Sequence, residues 1–146
     1  MHKIEETIGY EFTNTNLMEE AILAAGASVS DPAIRGDPKG NKRLALVGDA
    51  VIQLVILDKW YWGGSDTATG SNTLQKTASN DALSQQASKV HLSDMIKKNP
   101  CQQGDAPRET LASTVEALIG AVWFDCGGRI NVIEQVMEKL GLFDNH

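Results

Sequence analysis

Residues 41–53 read NKRLALVGDAVIQ and continue into LVIL, so one carboxylate, Asp49, sits inside an otherwise apolar segment. A charge buried without a partner is heavily penalised. Either solvent reaches Asp49, or it caps a helix break after Gly48, or it coordinates something. From Asn41 to Trp62 apolar residues recur on nearly every side at helical spacing, and Gly63-Gly64 supplies a stop. That is the pattern of a central helix packed on several faces. At about 100° per residue, Leu44, Val47, Val51, Leu54, Val55 and Asp58 share one side. Lys42, Ala45, Asp49 and Gln53 lie opposite, with Ile52 and Ile56 close to them.

Outward from this helix the signals remain helical. Thr13-Asn14-Thr15-Asn16 offers capping side chains before LMEEAILAAG, where Leu17, Ile22 and Leu23 fall near one face. Ser79-Asn80 caps a helix through Val90. Pro107 opens another through about Asp125, closed by Gly127-Gly128. Ile130, Ile133, Val136, Met137 and Leu140 stripe a last helix that Gly141 ends. Three stretches rich in Gly, Pro and small polar residues read as loops: Ser28–Gly40, Ser65–Thr73 and IKKNPCQQGDAP from Ile96. The expected fold class is all-α, six to seven helices, with residues 1–146 forming a single domain. Trp60, Tyr61, Trp62 and Trp123, at the ends of long helices, are expected to pack the core edge. His2, His91 and His146 are scattered and suggest no metal site.

Composition narrows the function classes. The 146 residues are 42% hydrophobic and 22% charged, an ordinary globular balance without a membrane-spanning run or a secretory pattern. Cys101 and Cys126 lack metal-ligand spacing and fit a reducing, intracellular compartment, whether cytoplasm, nucleus or mitochondrion. The net charge of −6 argues against strong binding to phosphate backbones.

On the helix after Pro107, Leu111, Val115, Leu118, Ile119 and Val122 make a core stripe, while Glu109, Ser113, Glu116 and Gly120 align opposite. If the polar faces of the two long helices meet, Asp49 and Glu116 converge. Paired carboxylates suit a hard divalent cation such as Mg²⁺, which generates a hydroxide nucleophile and stabilises a phosphodiester leaving group. Spacing alone leaves the alternative open that Asp49 is a cap and Glu116 a solvated charge.

NKRLALVGDAVIQLVI resembles the signature helix of the ribonuclease III family, usually N-E-R-L-E-F-L-G-D-A-V-L. TLASTVEALIGAVWFDCGG resembles its second motif, L-A-D-T-V-E-A-L-I-G-A-I-Y-L-D. IGYEFTNTNLMEEAIL and SNDALSQQA are similar to the family's first and middle helices, so the likeness covers nearly the whole chain. The resemblance implies an all-helical, two-fold dimeric domain that cuts double-stranded RNA with Mg²⁺ held by four acidic side chains. Carried over, those four positions are Ala45, Asp49, Ser113 and Glu116, and Lys42 stands where the signature has a glutamate. Two acids are kept and two are lost. The histidine-containing pattern that usually follows the first helix is replaced by LAAGAS.

A Mg²⁺ shell that loses two anionic oxygens and gains a nearby lysine is expected to bind weakly. Glu109 is a possible substitute ligand, though a solvated helix-start glutamate is the default at that position. Lys39, Lys42, Arg43, Lys97, Lys98 and Arg108 offer a local basic patch, and solvated lysines explain them equally well. The stretch after Gly128 is too short to form a double-stranded-RNA-binding domain, so affinity for RNA is expected to be modest and salt-dependent. Three functions follow: a degenerate domain acting as a structural or pseudoenzyme module in RNA processing, an active Mg²⁺-dependent endoribonuclease, or an inactive subunit of a heterodimer or ribonucleoprotein. By the same resemblance Leu46 belongs to a homodimer interface. It lies away from the helix's main stripe, where an apolar residue needs other cover.

Overall fold

A computed structural model of the protein describes residues 1–25, 27, 39–98, 104 and 106–143. Most of the first and third expected loops, with Cys101 and His146, lie outside the described residues. Seven α-helices occur among those described: α1 (Lys3–Ile8), α2 (Thr15–Ala21), α3 (Lys42–Gly63), α4 (Thr67–Ala78), α5 (Asn80–Lys89), α6 (Arg108–Asp125) and α7 (Ile130–Lys139). A 3₁₀ turn spans Leu92–Met95. Extended pairing among the described residues is limited to an isolated parallel bridge between Leu23 and Lys97. The all-α expectation holds.

The centre is the crossing of α3 and α6, and two glycines make it possible. A Cβ at Gly48 would stand 1.6 Å from the Glu116 carbonyl oxygen, and one at Gly120 would stand 2.4 Å from that of Leu44. Only residues without a side chain let the two backbones touch here. Around the crossing, Ile52, Val55 and Ile56 of α3 meet Val115, Leu118, Ile119 and Val122 of α6, all buried. Each large aliphatic side chain so removed from water contributes about 1.5–3 kcal/mol. Leu83 and Ala87 of α5 and Ile133, Val136 and Met137 of α7 complete one connected core.

Side-chain hydrogen bonds fix the outer elements. Asp125 accepts from the Tyr10 hydroxyl at 2.6 Å and from the backbone N–H groups of Thr13 and Asn14 at 2.9 and 2.8 Å. It thereby clamps the start of α2 to the end of α6. The short α1 is held by Glu5, whose buried carboxylate accepts from the N–H groups of His2 and Phe12. Six residues are too few to display a helical period, which is why α1 has no signature of its own. Cys126 is a free, half-buried thiol whose sulfur accepts from the Arg129 N–H.

Three expectations are corrected. The tract Ser65–Thr73 is no loop, because Thr67–Ala78 is helical. Its threonines, glycine and asparagine have low intrinsic helix propensity, and tertiary contact overrides it. Asp66 caps the helix by accepting from the Thr69 N–H at 2.8 Å. Gly70 lies against Trp60, whose indole N–H donates to the Asp66 carbonyl at 2.8 Å. Second, Tyr61 and Trp62 do not pack the core edge, for they are 66% and 79% exposed and stack edge-to-face on each other. They ride the last turn of α3. Trp60 and Trp123 are half-buried, as expected. Third, Leu54 does not belong to the buried stripe, since the stripe follows the crossing through Leu44, Gly48, Val51 and Val55 and leaves Leu54 exposed.

Candidate active site

The glycine crossing also sets the site. Gly48 precedes Asp49, and the backbone it touches is that of Glu116 itself, so helix geometry brings the two carboxylates together. Their side chains are half-buried and share a hydrogen bond. Burial, then that hydrogen bond, then the charge of Asp49 push the Glu116 carboxyl up to about 7, against the opposing pull of Lys42. Gln53, one turn further along α3, donates from its amide to Asp49 Oδ2 at 3.1 Å. Glu116 is thus a carboxyl that exchanges its proton near neutral pH beside Asp49.

The neighbouring positions are less able to bind a cation. Ala45 is buried and carries no donor atom, and Ser113 is half-buried with only a hydroxyl. Lys42 is exposed, and its positive charge acts on Glu116. Glu109 is exposed on the first turn of α6. Among the described residues no three His, Cys, Asp or Glu side chains are grouped so as to hold a metal ion.

Asn41 is a buried tie between helices that sequence reasoning passed over. It stands at the start of α3 without capping that helix. Its buried amide instead donates to the Ala21 carbonyl at 2.9 Å and to Thr114 Oγ1 at 3.0 Å, joining α2, α3 and α6 beneath the site. An asparagine before a helix reads as an ordinary cap, so its long-range role left no distinct signal.

Beside the pair, α3 turns an apolar face outward. Leu46 is 75% exposed, and with Val47, Ala50, Leu54 and Trp123 it lines a shallow hollow of about 440 Å³. Phe124 is exposed on the neighbouring end of α6. The expected basic patch is partly neutralised. Lys97 pairs with Glu19 at 2.7 Å, Arg108 pairs with Asp81, and Lys98 donates to the Gly104 carbonyl. Lys42 and Arg43 are exposed at the start of α3.

Comparison with known proteins places this geometry in a family context. Residues 32–141 match the Ribonuclease-III-like family. The chain is 32% identical over 129 residues to a ribonuclease 3 from Caenorhabditis briggsae, covering 86% of this chain and 12% of that protein. It is 29% identical over 143 residues to ribonuclease 3 of Listeria innocua, covering 94% and 61%. The chain therefore spans less than two thirds of either relative. Its fold is similar to the nuclease domain of ribonuclease III from Campylobacter jejuni, with a TM-score of 0.79, 22% identity, and coverage of 95% and 94%. That structure was described for flexibility in the region involved in dimer formation.

Proposed function

The chain belongs to the ribonuclease-III-like family, and on that premise we propose that it is a degenerate member, a homodimeric module of RNA processing that does not cleave RNA. The observation that carries the proposal is the composition of the site at the α3–α6 crossing. Asp49 and Glu116 meet there, while the two other positions that the family resemblance implies as acidic are Ala45 and Ser113. A resident Mg²⁺ does not fit this donor set. The ion needs anionic oxygens to offset its dehydration, and here it would find two carboxylates, a neutral hydroxyl, a methyl group and the ammonium of Lys42. Asp49 and Glu116 are read as the retained half of a cluster, with Lys42, Ala45 and Ser113 as its altered positions.

A second copy of the chain is the proposed occupant of the apolar hollow at Leu46. An exposed leucine beside further apolar side chains on one helix face is the kind of self-complementary surface that two-fold dimers bury. The ligand proposed for the dimer is double-stranded RNA, met by exposed cations such as Lys42 and Arg43. With a net charge of −6, that binding should be modest and weaken with salt. The connected core supports reading residues 1–146 as one domain. No helix among the described residues is long and apolar enough to cross a membrane.

The test is incubation of a long RNA duplex with the native chain in millimolar Mg²⁺ or Mn²⁺. The expected result is a salt-sensitive mobility shift with strands of unchanged length. Cleavage that Asp49→Ala abolishes would overturn the proposal and establish an active endonuclease.

A further inference from the structure

Away from the carboxylate pair, the C-terminal half of α3, α4, the start of α5 and the segment after α7 enclose a cleft of about 550 Å³. That volume lies within the range typical of small-molecule sites, about 300–1,000 Å³. At about 1.5 Å per residue along α3, Lys59 on its wall stands roughly 15 Å from Asp49, so this is a separate place in the fold. The geometry points to this cleft as a binding site for a nucleoside phosphate, either a free mononucleotide or the phosphorylated end of an RNA strand. The inference does not depend on whether the chain cleaves RNA.

Charge is the first reason. The chain carries 19 acidic against 13 basic residues, yet the described residues lining this cleft include two lysines, Lys59 and Lys76, and no carboxylate. Glu134 lies outside the lining and pairs with Lys59 at 3.3 Å across an exposed contact, where an ion pair is weak and readily exchanged for a phosphate. Asp66 at the rim is occupied as the cap of α4.

The donor pattern is the second reason. Thr69, Thr73 and Thr77 follow one another at four-residue spacing on the face of α4 that lines the cleft; the Thr73 hydroxyl donates to the Thr69 carbonyl at 2.9 Å and that of Thr69 bonds to Asp66, so these two offer oxygen lone pairs and Thr77 a hydroxyl donor. Gln85 and Gln86 of α5 add amides, which donate and accept and so suit a base edge or a ribose hydroxyl. Aromatic surface is the third. Trp60 and Phe143 contribute to the walls, and the Lys59 ammonium lies 4.5 Å from the centre of the Phe143 ring. Cation, hydroxyls, amides and rings within one cleft are the complement of a phosphate, a sugar and a base. The pattern also accounts for a helix as polar as α4, whose threonines serve little in the core.

Amide chemical shifts of the native chain, followed by NMR during titration with adenosine 5′-monophosphate, inorganic phosphate and a short 5′-phosphorylated single-stranded RNA, test this. Saturable shifts at residues 59–60, 69–77 and 85–86 are expected for the nucleotide or the RNA. The tighter of the two identifies the source. Lys59→Gln, a surface change, should weaken the binding about tenfold through loss of one charge-assisted contact. Thr77→Val is the second probe, because it removes the hydroxyl donor facing the cleft at nearly constant shape. Absence of saturable shifts with all three ligands overturns the inference. So do shifts confined to residues 42–49 and 113–116, inorganic phosphate binding as tightly as the nucleotide, or affinity that neither variant alters.

Discussion

Replacing Glu116 by Gln should abolish a pH dependence of stability that the native chain carries near neutrality. Because burial and Asp49 raise the Glu116 carboxyl from 4.5 to about 7, the folded protein retains a proton that the unfolded chain has released. Its contribution is fully present below pH 4.5 and is lost as pH rises through about 7. At about 1.4 kcal/mol per pH unit the ceiling is roughly 3 kcal/mol. The site is half open to solvent, and screening reduces this to about 1 kcal/mol. With a urea slope of about 1.5 kcal/mol/M, the midpoint should fall by roughly 0.6 M between about pH 5 and pH 8 through this group alone. Urea unfolding in EDTA, followed by circular dichroism, compares native and Glu116→Gln chains across that range. Taking the difference cancels groups common to both, including Asp125, whose hydrogen bonds hold its carboxyl below the usual range despite its burial. The Gln variant should be the less pH-sensitive of the two and the more stable at pH 8. Identical slopes would refute the raised Glu116 carboxyl, and a steeper loss in the variant would reverse the sign of its contribution.

Other substitutions probe the frame around the pair. Gly48→Ala puts a methyl group into the backbone of Glu116 and should cost about 3 kcal/mol or more in urea unfolding, because neither helix backbone can yield locally. Leu46→Glu should turn the proposed dimer into a monomer in sedimentation equilibrium with an unchanged circular dichroism spectrum, since this side chain is exposed in the single chain. Asp125→Ala removes the acceptor of three hydrogen bonds and should cost about 2 kcal/mol, measurable as a lower thermal midpoint.

The long helices were legible because their apolar periodicity and stop signals agree with the packing they adopt. α3, α5, α6 and α7 lie within a residue or two of the boundaries that Gly63-Gly64, Ser79, Pro107 and Gly141 suggest. The pairing of Asp49 with Glu116 was also legible, as a consequence of two polar positions on facing helices. What makes them meet was not: it is the Gly48–Gly120 contact, which becomes visible only once both backbones are placed. α4 was hidden because its residues favour turns when considered alone, and its support comes from Asp66 and Trp60. The exposure of Tyr61 and Trp62 was hidden as well, since periodicity does not say how far a long helix runs past its core. Asn41 resembles any residue before a helix, and its two long-range hydrogen bonds belong to tertiary structure.

On the proposed reading, the two remaining carboxylates are too few to hold the metal. Calorimetric titration of Mg²⁺ into the native chain, beside the Ala45→Glu plus Ser113→Asp variant, tests it most directly. No saturable heat is expected for the native chain at low millimolar Mg²⁺, and saturable binding is expected once the two acids are supplied. Submillimolar Mg²⁺ binding by the native chain, lost in Asp49→Ala, would contradict it.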